Sequence, residues 1–248
     1  MLYSFFIERV AEEIITRRKR RNSDMKIVDF CKIDEKVTFI RIDPEDLSVT
    51  LKDIFRTLSD ISWISKFDEE YVRDAFEVRA QPTINKLKEI LLENADDDAT
   101  KEVAEYLISE LSREVIIDKL DYLDIPLSEL LGRKVRGNPG FDFYSRNSER
   151  VILFGEAKYI SSQNAYGAGL SQVIKFIAAK KDIADLLLIE KFCEKSELND
   201  VRRGIKGFMV GFSAKKTSTD SIKEGIVSNV NYLELHRYQE IVLVAVNL

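Results

Sequence analysis

Apolar positions at helical spacing open the chain: Phe6, Ile7, Val10 and Ile14 recur at three and four residues and predict an amphipathic helix over 3–21. The pattern then changes to short strands over 26–30 and 36–42, with a turn at Asp43, Pro44, Glu45 and Asp46. Leu51, Ile54, Phe55 and Leu58 return to helical spacing, with Trp63 packed beside them. Residues 68–80 and 82–94 read as two helices broken at Gln81 and Pro82, because proline opens a helix more readily than it continues one. Asp96, Asp97 and Asp98 form an acidic link. After it, Thr100 caps a helix to about Leu120, with Val103, Leu107, Leu111 and Val115 on one face.

Two strands follow. One covers 137–144 and the other 151–159, joined by the polar stretch 145–150, which is long enough to turn the chain antiparallel. Beyond them come a Ser/Gly/Asn loop over 161–169 and a long helix over 170–194 with Val173, Phe176, Ile177 and Ile183 inward. Strands over 205–212, 231–235 and 241–246 complete the sheet, with a basic turn at Lys215 and Lys216. The expected architecture is α/β: a sandwich with a mixed sheet over 96–248, preceded by a smaller α+β module over 1–95 that contacts a partner or substrate. The acidic link marks the division.

Composition narrows the chemistry. The single histidine, His236, leaves out Ser-His-Asp triads, HNH nucleases and zinc fingers, so acid–base work falls to carboxylates, lysine or tyrosine. Cys31 and Cys193 lie far apart without metal or redox spacing and read as buried thiols. No apolar run reaches membrane-span length and no signal peptide is evident, so a cytoplasmic protein with no membrane partner is expected. The net charge of −5 is unevenly spread. Residues 1–130 hold 20 Lys/Arg against 30 Asp/Glu, and residues 131–248 hold 18 against 13. A locally basic half can bind phosphates within an acidic chain, although scattered solubilising charge gives the same count. Lys175, Lys180 and Lys181 could track a phosphate backbone. The basic run Arg17, Arg18, Lys19, Arg20 and Arg21 suits either a helix C-terminus or a nucleic-acid contact.

The basic half also holds the candidate site. Alternate side chains of a strand share a face, so Glu156 and Lys158 project together, and Asp142 meets them from the neighbouring strand. Two close carboxylates repel unless a divalent cation lies between them, and Mg²⁺ (or Mn²⁺) suits one or two carboxylates plus water and substrate phosphate. Lys158 could then orient or deprotonate a water for attack on phosphorus. Acid-x-Lys triplets also occur at Asp24-Met25-Lys26 and Asp34-Glu35-Lys36, where strands begin, and a surface ion pair is the plain alternative for Glu156 and Lys158. The apolar run Val151, Ile152, Leu153, Phe154 argues for a strand buried on both faces, at whose end charges need a reason.

Pro139, Asp142, Glu156 and Lys158 resemble the motif of the PD-(D/E)xK (restriction-endonuclease-like) nuclease superfamily, with Pro139 three residues before the Asp. Phe154-Gly155-Glu156-Ala157-Lys158-Tyr159, followed by a loop and a helix, is similar to the nuclease subunit of the Hachiman anti-phage defence system. The superfamily resemblance implies a restriction-endonuclease-like α/β/α core and Mg²⁺-dependent hydrolysis of DNA. Asp142, Glu156 and the Ala157 carbonyl would hold the metal. It further implies an acid from the preceding helix, Glu105 with Glu102 as the alternative, and a role for Gln172 in orienting the site or a phosphate. There, Phe176 replaces the tyrosine of a Gln-x-x-x-Tyr element. The narrower resemblance implies a helicase partner. A non-catalytic binding module and an RNA-directed nuclease stay open beside the DNA nuclease.

Overall fold

The computed structural model describes residues 25–92, 97–132 and 140–248. The helix expected over 3–21, the basic run at its end, Asp96 and Pro139 lie outside them. The described residues form a mixed α/β structure around one six-stranded sheet with strand order β1-β2-β6-β5-β4-β3. These strands are β1 (Met25–Lys32), β2 (Val37–Pro44), β3 (Phe143–Arg146), β4 (Ile152–Lys158), β5 (Gly207–Ala214) and β6 (Ile241–Asn247). The four inner strands run parallel, and β1 and β3 pair antiparallel at the two edges. Parallel strands buried on both faces read as unbroken apolar runs, as Ile241 to Val246 does in β6.

Alternation along each strand divides the core in two. On β6, Ile241, Leu243 and Ala245 face one hydrophobic cluster, and Val242, Val244 and Val246 face the other. The second cluster is covered by α3 (Asp97–Leu120) through Leu107, Ile108 and Leu111, together with α1 (Leu47–Leu58). The first is covered by α4 (Tyr166–Ala178) through Leu170, Val173 and Phe176. Helices therefore lie on both faces of the sheet. The division expected at 95/96 is crossed by that sheet: Val37 to Ile42 of β2 lie in register beside Ile241 to Val246 of β6.

Several local expectations are corrected. One helix, α2 (Glu70–Leu92), runs through Pro82. Ala80 and Ile84, on either side of the proline, are both buried in the same cluster, and that shared packing outweighs the lost backbone hydrogen bond. Helix α3 begins at Asp97, so Thr100 lies inside it rather than at its cap.

The helix expected over 170–194 stops at Ala178, where Lys180 takes a left-handed conformation (φ 56°). Short turns α5 (Lys181–Ala184) and α6 (Leu186–Ile189) follow, then α7 (Lys195–Arg202). The turn carries Asp182 to the Lys206 ammonium and Asp185 to the Phe141 N–H, at 3.1 Å, and it leaves Ile183 exposed. Residues 231–235 are helical rather than extended. After α8 (Thr219–Val227), the Asn229 side chain accepts from Asn231 N–H and caps α9 (Val230–Leu235), whose Tyr232 and Leu235 are buried at helical spacing. No described helix is long and apolar enough to cross a membrane.

Candidate active site

The loop between β3 and β4 closes on Asn147, whose side-chain oxygen accepts from Val151 N–H while its backbone carbonyl accepts from Arg150 N–H. The hairpin register places Phe143 opposite Gly155, so Asp142, at the entrance to β3, comes level with Glu156. A side chain at position 155 would strike the Phe143 ring, because a Cβ built there lies 2.4–2.5 Å from three ring atoms. Glycine at 155 lets that buried ring lie flat on β4, and the ring in turn seats the residue before it.

Asp142 is held by its main chain and its side chain. Its N–H donates to Gly155 O (2.8 Å), its carbonyl accepts from Ser128 N–H (2.9 Å), and its Oδ2 accepts from Ala157 N–H (2.8 Å). The carboxylate is half-buried. Upstream, Asp185 Oδ2 accepts from Phe141 N–H and from the Tyr144 hydroxyl (3.0 Å), so both flanks of Asp142 are tied to the turn after α4.

Glu156 and Lys158 share the face of β4 that carries Ile152 and Phe154 toward α4. Glu156 is 2% exposed and its Oε1 lies 2.7 Å from Lys158 Nζ. Its other oxygen, Oε2, is buried and accepts from no N–H or O–H donor among the described residues, and Glu156 can hydrogen-bond Asp142 only while one of the two carboxyls keeps its proton. A buried acceptor left unmade costs about 1–3 kcal/mol, more when charged, so the cluster is strained once both carboxyls ionise. The surface ion-pair alternative does not fit a glutamate withdrawn this far from water. Lys158 itself is 23% exposed, and its Cγ lies 3.9 Å from the Cβ that a side chain at Gly169 of α4 would carry.

The two helical acids are placed differently. Glu102 of α3 turns away to pair with Lys86 of α2. Glu105, one turn further along, places Oε1 3.6 Å from Lys158 Nζ and accepts a long hydrogen bond of 3.5 Å from Tyr159 N–H. Asp142, Glu156, Lys158 and Glu105 thus meet at the carboxyl end of β4. Gln172, half-buried on α4, forms no hydrogen bond among the described residues. Ala157 enters the cluster through its N–H. A strand residue directs N–H and C=O to the same edge, so its carbonyl faces the Asp142 side as well. The anchoring role of Asp185 was missed. A carboxylate within an apolar helical stretch was its only signal, and the same signal belongs to any exposed helix.

Electrostatics follow from this packing. Burial pushes the Asp142 carboxyl up to about 6, against the pull of Lys158 and the Ala157 N–H. Burial, reinforced by the Asp142 charge, raises Glu156 well above the usual carboxylate range. Burial alone would depress Lys158, but Glu156, Asp142 and Glu105 outweigh it and raise its pKa. Lys158 is therefore held as an ammonium, suited to meeting negative charge rather than taking a proton.

Among the described residues, no three carboxylate, imidazole or thiol side chains converge closely enough to enclose a cation unaided. The donor set is the smaller one that Mg²⁺ or Mn²⁺ accepts, two carboxylates with water and phosphate completing the shell. The orphaned Glu156 oxygen beside Asp142 fits it. No model of a known protein family and no curated protein sequence matches the chain.

Proposed function

We propose that the protein is a Mg²⁺- or Mn²⁺-dependent nuclease hydrolysing DNA phosphodiester bonds, with a restriction-endonuclease-like core. The observation that carries this reading is the buried Glu156, one oxygen on Lys158 and the other unpartnered, level with Asp142 at the carboxyl end of β4.

Hydrolysis adds water across one P–O bond, giving a phosphate monoester and a free hydroxyl. Asp142 and Glu156, with the Ala157 carbonyl, would hold the cation, which when bound supplies Lewis-acid polarisation of the phosphate and lowers the pKa of water. The protein's own part is placement. The Ala157 and Ser128 N–H groups fix Asp142, Glu105 restrains Lys158 from the helix side, and the Lys158 ammonium meets the charge that builds on the phosphoryl oxygens. With Lys158 protonated, the attacking water gives its proton to solvent, and the leaving oxygen takes one from solvent to become the free hydroxyl. A helicase partner that delivers the substrate, and a place in anti-phage defence, belong to the same proposal and rest on the Phe154-to-Tyr159 resemblance alone.

The test is a cleavage panel on the intact chain: linear, circular and single-stranded DNA, and RNA, each with Mg²⁺, Mn²⁺ and EDTA. Metal-dependent cleavage of DNA is expected. Cleavage of RNA alone would replace the substrate, and no cleavage with either metal would leave a binding module.

A further inference from the structure

The carboxyl end of the sheet carries a second feature beside the cluster. The turn after β5 is pinned from beneath by Arg41 of β2, a cation only 6% exposed. Its guanidinium donates to Lys215 O (3.1 Å), Thr217 O (2.8 Å), Thr219 Oγ1 (3.0 Å) and Asn247 Oδ1 (2.9 Å). The turn is tied from the other side too. Asn164, in the loop after β4, accepts from Lys215 N–H (2.7 Å) and donates to Thr217 Oγ1 (3.3 Å).

Burying an arginine is costly, and here that cost secures the backbone of a surface turn rather than a core contact. What the turn presents is positive charge. Lys215 Nζ lies 5.2 Å from the centre of the Tyr159 ring, and Tyr159 directly follows Lys158. Lys216 is exposed. Among the described residues neither lysine pairs with an Asp or Glu side chain, whereas Lys158, Lys206 and Lys223 all do. The Lys215 ammonium donates once, to Leu248 O (2.9 Å), and keeps two N–H groups.

We infer that the Arg41-pinned turn at Lys215 and Lys216 is a phosphate-binding subsite that guides the DNA backbone alongside the bond held at Asp142, Glu156 and Lys158. The inference rests on the nuclease reading for its choice of DNA. Lys215 and Lys216 contact phosphates adjoining the scissile one. Arg41 is a positioning residue that acts through the turn. A preformed cationic turn supplies sequence-independent affinity, because each neutralised phosphate releases counterions.

The experiment is equilibrium binding of a labelled DNA oligonucleotide to the intact chain in Ca²⁺, measured by anisotropy from low to moderate salt. The double substitution Lys215→Ala/Lys216→Ala is compared with Lys26→Ala/Lys32→Ala, which removes equal charge from the far edge strand. Losing two phosphate contacts should flatten the slope of log K against log salt by about 1.4–1.8 for the first pair only. Both variants should keep the wild-type melting temperature and the wild-type Mn²⁺ affinity. An unchanged slope, an equal change in the control, or no binding of DNA by the wild type overturns the subsite. Binding with the expected slope change but without cleavage in Mg²⁺ or Mn²⁺ upholds the subsite and defeats the nuclease reading.

Discussion

Replacing Asp142 by asparagine should make the metal-free protein more stable, and by an amount that depends on pH. Asparagine keeps an oxygen to accept the Ala157 N–H, removes the charge and puts an amide NH2 in place of the second oxygen. The folded carboxyl titrates near 6 against 3.8 for a free aspartate, so the native state holds its proton more tightly than the unfolded chain. The contribution is therefore most favourable below pH 4 and is lost as pH rises through 6. From 3.8 and about 6, the penalty that the asparagine escapes is under about 1 kcal/mol at pH 4, about 2 kcal/mol at pH 5 and about 3 kcal/mol at pH 8. These are ceilings, because Asp142 keeps part of its surface in water. Urea unfolding in EDTA at those three pH values measures the gap directly, and thermal melts should show about 2–4 °C per kcal/mol. Adding Mn²⁺ at a thousand times its dissociation constant should reverse the order, since the wild type gains about 4 kcal/mol and the variant nothing. A variant less stable than wild type at every pH, or a gap that does not widen from pH 4 to pH 8, would refute the picture of two carboxylates forced together by the fold.

Other consequences are simpler to read. Glu156→Gln should abolish Mn²⁺ binding in calorimetry while the fold persists by circular dichroism; wild-type affinity would remove Glu156 from the metal site. Gly155→Ala should cost about 1–3 kcal/mol through its clash with the Phe143 ring, and activity should fall further than stability explains as Asp142 shifts. Tyr144→Phe should cost about 1 kcal/mol in urea unfolding, from its lost hydrogen bond to Asp185.

The hairpin and the shared face of Glu156 and Lys158 were legible because strand alternation is a local property, fixed within a few residues of Val151 to Lys158. The contribution of Glu105 over Glu102 was not. Both acids sit within one turn of α3, and the outcome depends on Lys86, on a different helix, drawing Glu102 away. The end of α4 at Lys180 was hidden for a related reason. Asp182 and Asp185 look like solvated helical positions until Lys206, Phe141 and Tyr144 arrive from distant segments to pair with them. The break predicted at Pro82 failed in the opposite direction, with Ala80 and Ile84 packed into one cluster on either side of the proline. The joining of β2 to β6 spans about 200 residues of sequence, and no local pattern announces a parallel ladder of that range.

The most direct measurement is cleavage of linear and plasmid DNA in Mg²⁺ by the wild type and by Lys158→Ala at equal, verified folding. Metal-dependent cleavage by the wild type, lost in the variant, is the expected result. Undiminished cleavage by Lys158→Ala would contradict it, since the ammonium held between Glu156 and Glu105 would then have no part in the chemistry.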